Sequence, residues 1–330
     1  MQSACACLPR AAPAPSLRAM TTLLITDDAC DGHVTPQGHP ERVARRHAVR
    51  DVLAGPAFAE LIWAPAPPAS DADLLLCHPQ SYLDRLDASL PQTGTVALDP
   101  DTWLAPGSLA AARRAAGAGI AAVDAVLGGR AANAFCAMRP PGHHAEPDIA
   151  MGFCLFGNAA IAARHALDRH GFGRVAIVDF DVHHGNGTQA IVWDDPRILF
   201  ASSHQMPLYP GTGDPAETGG HDNVINVALR AGDGGAALRR AWEGVILPRV
   251  AAFAPDLVVI SAGFDAHRDD PLAGLAMVEA DFAWITGAIC DIAARHAAGR
   301  VVSVLEGGYD LDALAASVAA HVQVLMERGG

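Results

Sequence analysis

Three polar runs, Arg139-Pro-Pro-Gly-His-His144, Asp179-Phe-Asp-Val-His-His-Gly-Asn186 and Ser261-Ala-Gly-Phe-Asp265, each follow a β-branched or otherwise apolar stretch. Strands written as continuous apolar runs and separated by helices imply a parallel sheet covered on both faces. All three runs then emerge at the same edge of that sheet, where open α/β folds place their ligands. Together they supply two carboxylates, three or four imidazoles and a close backbone approach. That is the inventory of a mononuclear metallohydrolase.

The surrounding text supports one α/β domain with a central, mostly parallel sheet. Strands are expected at Leu23–Thr26, Asn133–Met138, Val175–Phe180, Ile198–Ser202, Leu257–Ser261 and Val301–Leu305. Helices are expected at Asn158–His170, Ala280–His296 and Asp310–Met326, with another from Ser108 to Leu127 that Ser108 caps and Gly128-Gly129 ends. Residues 203–234 break the rhythm with glycine and proline, and read as a long ordered loop that shapes a mouth rather than the core. Residues 1–20 carry two arginines, no acid and three prolines without a long apolar centre, so they read as a disordered extension before a catalytic domain over 21–330. Met20 is then a candidate true start.

Composition removes whole classes of function. All 23 basic residues of the 330 are arginine, and a chain without lysine forms no Schiff base and completes no phosphate-binding Gly-Lys-Ser/Thr loop. A net charge of -13 works against nucleic acid as a partner, because phosphate neutralisation needs a basic face. No apolar run is long enough to read as a membrane span. Seven dispersed cysteines without a Cys-x-x-Cys suit reduced thiols and a cytoplasmic setting.

Residues two apart on an extended chain project to one side, so Asp179, Asp181 and His183 share a face at the end of their strand. Asp265 adds a carboxylate from a neighbouring strand. Asp181, His183 and Asp265 are therefore the expected metal ligands, with Asp179 behind them holding a histidine N–H. His184 points the other way and reads as a satisfied core residue. Two acids and one imidazole nearly cancel a divalent charge, so bound water needs an external base, and His143-His144 on their stiff turn can supply it. Tyr309, in Leu305-Glu-Gly-Gly-Tyr309, adds a phenol able to donate to an oxyanion.

In this order the runs resemble the histone deacetylase superfamily, zinc amidohydrolases of the arginase/deacetylase fold, from about Asp27 to the C-terminus. Asn186 is similar to the class II pattern. The resemblance implies zinc, with ferrous iron as the alternative, on Asp181, His183 and Asp265. It implies His144 as general base and then acid, His143 with Asp179 as the electrostatic member of the pair, and Tyr309 polarising the acyl carbonyl. It places Gly152, Phe153, Tyr209 and Leu272 along an acyl-lysine tunnel, Asp101 at its rim, and a structural potassium ion at Asp179, Asp181, His183 and Ser202. Arginase-type binuclear sites need a further aspartate after Asp-x-His, where His184 and Gly185 stand, which argues against a two-metal guanidine hydrolase.

The expected activity is therefore deacetylation of N-acetyl-lysine in a protein or peptide. In the polyamine-preferring branch a glutamate can follow the Asp-Pro after the zinc aspartate, whereas here Asp270-Pro271 is followed by Leu272. Small acetylated amines remain the alternative substrate, and a non-catalytic acyl-lysine binder is the alternative of another class. A homo-oligomer is left open.

Overall fold

The computed structural model describes residues 21–329, so the expectation for residues 1–20 lies outside the described residues. Its strands are β1 (Thr22–Ile25), β2 (Ile62–Ala64), β3 (Val96–Ala97), β4 (Trp103–Leu104), β5 (Asn133–Cys136), β6 (Val175–Asp179), β7 (Ile198–Gln205), β8 (Val224–Leu229), β9 (Leu257–Ala262) and β10 (Val301–Leu305). The α-helices are α1 (Val43–Leu53), α2 (Asp71–Leu74), α3 (Gln80–Ser89), α4 (Ser108–Leu127), α5 (Asn158–His170), α6 (Asn186–Val192), α7 (Gly235–Ala241), α8 (Leu247–Phe253), α9 (Glu279–His296) and α10 (Leu311–Gly329). Eight strands form one sheet in the order β2-β1-β5-β10-β9-β6-β7-β8, every pair parallel. β3 and β4 form a separate antiparallel pair.

Side chains alternate across the sheet and feed two apolar layers. Ala176, Val178, Val258 and Ile260 pack in the layer that contains α9 and α10 residues, while Val175, Ile177, Leu257 and Val259 pack with α4 and α5. Burial on both faces explains why these strands are continuous apolar text. The central register sets Asp179 beside Ser261 on β9 and Ser202 on β7. The polar runs that follow these strands thus begin level with one another.

Two expectations are corrected. Residues 203–234 are not only a mouth-forming loop, because β7 continues to Gln205 and β8 closes that side of the main sheet. Ser108 does not cap α4: Gly107 is the N-cap, and the buried Ser108 hydroxyl accepts the Ala105 N–H and pairs with His33 Nδ1 at 2.7 Å.

A buried ion pair fastens the segment before α1 to the sheet edge. Arg139 donates to both Glu41 carboxylate oxygens, at 2.8 and 2.5 Å, and to the carbonyls of Cys30 and His33. Arg45 reaches the same glutamate at 3.1 Å and donates to the Glu306 and Gly308 carbonyls. Burial alone would raise the Glu41 carboxyl, yet Arg139 wins and holds it down at about 2. Its stabilisation is present above the ordinary 4.5 and lost as pH falls toward 2. Arg139→Leu would remove the bidentate partner of a buried carboxylate and leave it only the single bond from Arg45, at an expected cost of about 3 kcal/mol in urea unfolding. An unchanged unfolding free energy would show that the pair does not hold this segment.

Candidate metal centre and adjoining cavity

Asp181 and His183 lie in the turn after β6, and Asp265 in the turn after β9. Their ligand atoms lie within 4.8 Å of one another. His183 Nδ1 stands 3.2 Å from Asp181 Oδ1 and 3.1 Å from Asp265 Oδ2. Backbone amides hold both acids: Gly307 N–H donates to Asp181 at 2.8 Å and Val182 N–H to Asp265 at 2.9 Å. A Cβ on Gly307 would collide with both carboxylates, so this approach demands glycine.

Electrostatics agree with a cation-binding role. Burial opposes a charged His183, but its bonds to Asp181 and Asp265 outweigh it and lift the imidazole to about 10. Asp265 is raised to about 7, first by burial and then by Asp181. Two buried acids facing one imidazole thus gather positive charge, and three N/O donors fit a zinc-class ion with room for further ligands.

Behind this triad two histidines lie with ring centroids 4.0 Å apart and planes tilted by 43°, in unlike environments. His143 Nδ1–H donates to Asp179 at 3.0 Å, and although burial opposes its charge, Asp181 and Asp179 hold it well above the ordinary value. His144 is driven well below it by burial, reinforced by His143 and His183. Its Nδ1 pairs with Asn186 Oδ1 at 2.8 Å, while the Asn186 amide donates to Glu146 and Met151, which fixes the oxygen toward the ring. One histidine is therefore a cation and its neighbour a neutral base. Beneath them the buried Glu306 accepts the Gly142 and His143 amides, at 2.6 and 3.1 Å. The sequence reading assigned no role to Glu306, and used Asn186 only as a mark of class.

A cavity of about 330 Å³ opens onto this cluster, and every expected tunnel residue lines it. Phe153, Tyr209, Leu208 and Leu272 form apolar walls, Asp101 and His39 stand at the side, and His144, His183 and Tyr309 complete the lining. The His39 ring meets Phe153 edge-on at 4.8 Å, and its Nε2 bonds the Asp101 carbonyl at 3.0 Å. Tyr309 is buried, and its backbone N–H is anchored by Asp270 at 2.7 Å. Burial, then Asp265, keeps its phenol protonated far above neutrality. Ser202 sits apart from the cavity beside Asp179, its hydroxyl on His204 Nδ1 at 2.9 Å.

The loop carrying Tyr209 rests on a buried polar network. Thr212 pairs with His184 Nδ1 at 2.7 Å, the other His184 nitrogen donates to Gln189, and His204 Nε2–H donates to the Gly213 carbonyl at 3.0 Å. His184 is thus the satisfied core residue expected of it, kept neutral chiefly by burial. Gly213 has φ +89, and a Cβ there would strike the His204 and His184 rings. Gly213→Ala is expected to cost about 1–3 kcal/mol. A denaturation midpoint matching the parent's would contradict this account of the loop.

Comparison with known proteins agrees with this geometry. Residues 39–325 match the model of the histone deacetylase domain. An uncharacterised protein of Synechocystis is 44% identical over 298 residues, 89% of this chain and 96% of that one. A histone deacetylase-like amidohydrolase of Pseudomonas aeruginosa is 45% identical over 277 residues, 82% of this chain and 73% of its own. The crystal structure of the HDA15 HD domain superposes with a TM-score of 0.88 at 35% identity, covering 93% of this chain and 88% of that one.

Proposed function

The chain belongs to the histone deacetylase family, metal-dependent hydrolases of amides, and we propose that it removes the acetyl group from N-acetyl-lysine in proteins or peptides. The observation that carries this reading is the apolar cavity that ends at a neutral imidazole, a phenol and the Asp181–His183–Asp265 triad. Its walls suit a four-carbon chain, and the groups at its end suit an amide carbonyl and its leaving nitrogen. Leu272 in the wall offers no charge to a second ammonium, which favours acetyl-lysine over acetylpolyamines.

Asp181, His183 and Asp265 would hold zinc, or ferrous iron in its place. When bound, that cation supplies Lewis acidity to water and to the acyl oxygen. His144, whose Nδ1 is committed to Asn186, takes a proton from the attacking water at Nε2 and returns it to the departing amine. His143, held cationic by Asp181 and by its bond to Asp179, adds positive charge beside the reacting atoms without exchanging the proton itself. Tyr309 donates its hydroxyl to the acyl oxygen as negative charge collects there. Phe153, Gly152 and Tyr209 confine the aliphatic chain, and Asp101 accepts from the substrate backbone at the rim. A structural potassium ion is assigned to the region of Asp179, Asp181, His183 and Ser202, where the end of β6 pairs with Ser202 within β7.

Tyr309→Phe should lower kcat by about a hundredfold or more while divalent metal content stays unchanged. Turnover equal to the parent's would remove the phenol from the mechanism. On metal-quantified protein, kcat/KM should be highest for acetyl-lysine peptides among acetyl-lysine peptides, acetylpolyamines and longer acyl-lysines. A preference for acetylpolyamines would replace the substrate assignment while leaving the amidohydrolase chemistry intact.

A further inference from the structure

Among the described residues, a second group of three side chains brings its ligand atoms within 4.8 Å of one another: Asp124, His165 and His170. It lies far from the cavity. His165 and His170 belong to the C-terminal half of α5, whose first residue, Asn158, donates to Pro140 near the catalytic turn. At 1.5 Å per residue, His170 lies roughly 18 Å further along that helix. The chain then returns through Gly171 into the start of β6, at the edge of the sheet opposite Asp181 and His183.

We propose that Asp124, His165 and His170 bind a second divalent cation of the zinc class, and that this ion ties the C-terminal turn of α5 to α4. One oxygen, Asp124 Oδ1, stands 2.7 Å from Nε2 of both histidines. The rings meet edge-on, with centroids 5.2 Å apart. Three N/O donors from two packed helices converge on one point, and two imidazoles with one carboxylate select zinc, cobalt or nickel over calcium or magnesium. Ligand atoms around a tetrahedral ion stand roughly 3.3 Å apart at bond lengths near 2.0–2.1 Å, so the cluster must open by about half an ångström. His170 can provide that movement, since it is exposed on the last turn before the left-handed Gly171.

Electrostatics permit the exchange. Burial opposes the Asp124 charge, but hydrogen bonds from His165 and His170 overcome it and hold the carboxyl below its ordinary value. The acid is therefore ionised and available. His165 Nδ1 is buried without a hydrogen-bond partner, an acceptor while Nε2–H donates to Asp124 and the ring N–H once Nε2 turns to a metal. Asp124 also lines a surface groove beside β1 and β2, which gives solvent and ions a route to the carboxylate. None of the three residues lines the catalytic cavity, so the inference stands independently of the proposed activity.

The test is equilibrium dialysis of the folded protein against zinc, with metal counted per chain and thermal unfolding followed in parallel. The parent should hold two equivalents, and His170→Ala and Asp124→Asn should each hold one, with affinity for the second weakened at least roughly tenfold. The second equivalent should raise the unfolding midpoint of the parent and leave that of His170→Ala unmoved, with amide hydrolysis equal in both. A parent that saturates at one equivalent which His170→Ala retains, or a His170→Ala chain that retains two with unchanged affinity, would overturn the proposal and leave Asp124 as an ordinary acceptor for two imidazoles.

Discussion

Asp181 and Asp265 are buried side by side against one imidazole, and much of the site exists to make that arrangement tolerable. Two carboxylates in a low-dielectric interior repel each other and lose their hydration, costs that several buried donors must offset together. The fold offsets them in layers. Backbone amides of Val182 and Gly307 reach the acids directly, His183 sits between them, and His143 stands 3.8 Å from Asp181. A divalent cation would complete the balance, and an acid pair of this kind is what would draw one in.

The same charge field separates the two neighbouring histidines. His143 faces Asp179 and stays cationic, while His144 faces the neutral amide of Asn186, is buried beside that cation, and stays neutral. A carboxylate at position 186 would raise His144 and narrow that difference. Glu306 is the hidden partner of this arrangement: it fixes the Gly142-His143 backbone from below, and burial raises its own carboxyl to about 7.

Where a role depends on residues close in sequence, the text carried it. Val301–Leu305 and Asn158–His170 lie where periodicity placed them, and the three polar runs do meet at one edge because parallel strands share a direction. The candidate ligands are legible for the same reason. What could not be read lies in long-range partnerships. Ser108 looked like a helix cap because its hydroxyl's use by His33, 75 residues away, leaves no local trace. The Arg139–Glu41 pair spans 98 residues and orders the His39 segment that braces Phe153 and Asp101. β8 was hidden behind a glycine- and proline-rich stretch whose order comes from buried contacts with His184 and His204.

The central claim is that Asp181, His183 and Asp265 together grip one divalent ion. Anomalous diffraction from crystals of the zinc-loaded protein, recorded on either side of the zinc edge, addresses it most directly. The account predicts a peak about 2.0–2.2 Å from a carboxylate oxygen of each aspartate and from His183 Nδ1. Full zinc content with no peak among these three side chains would contradict it.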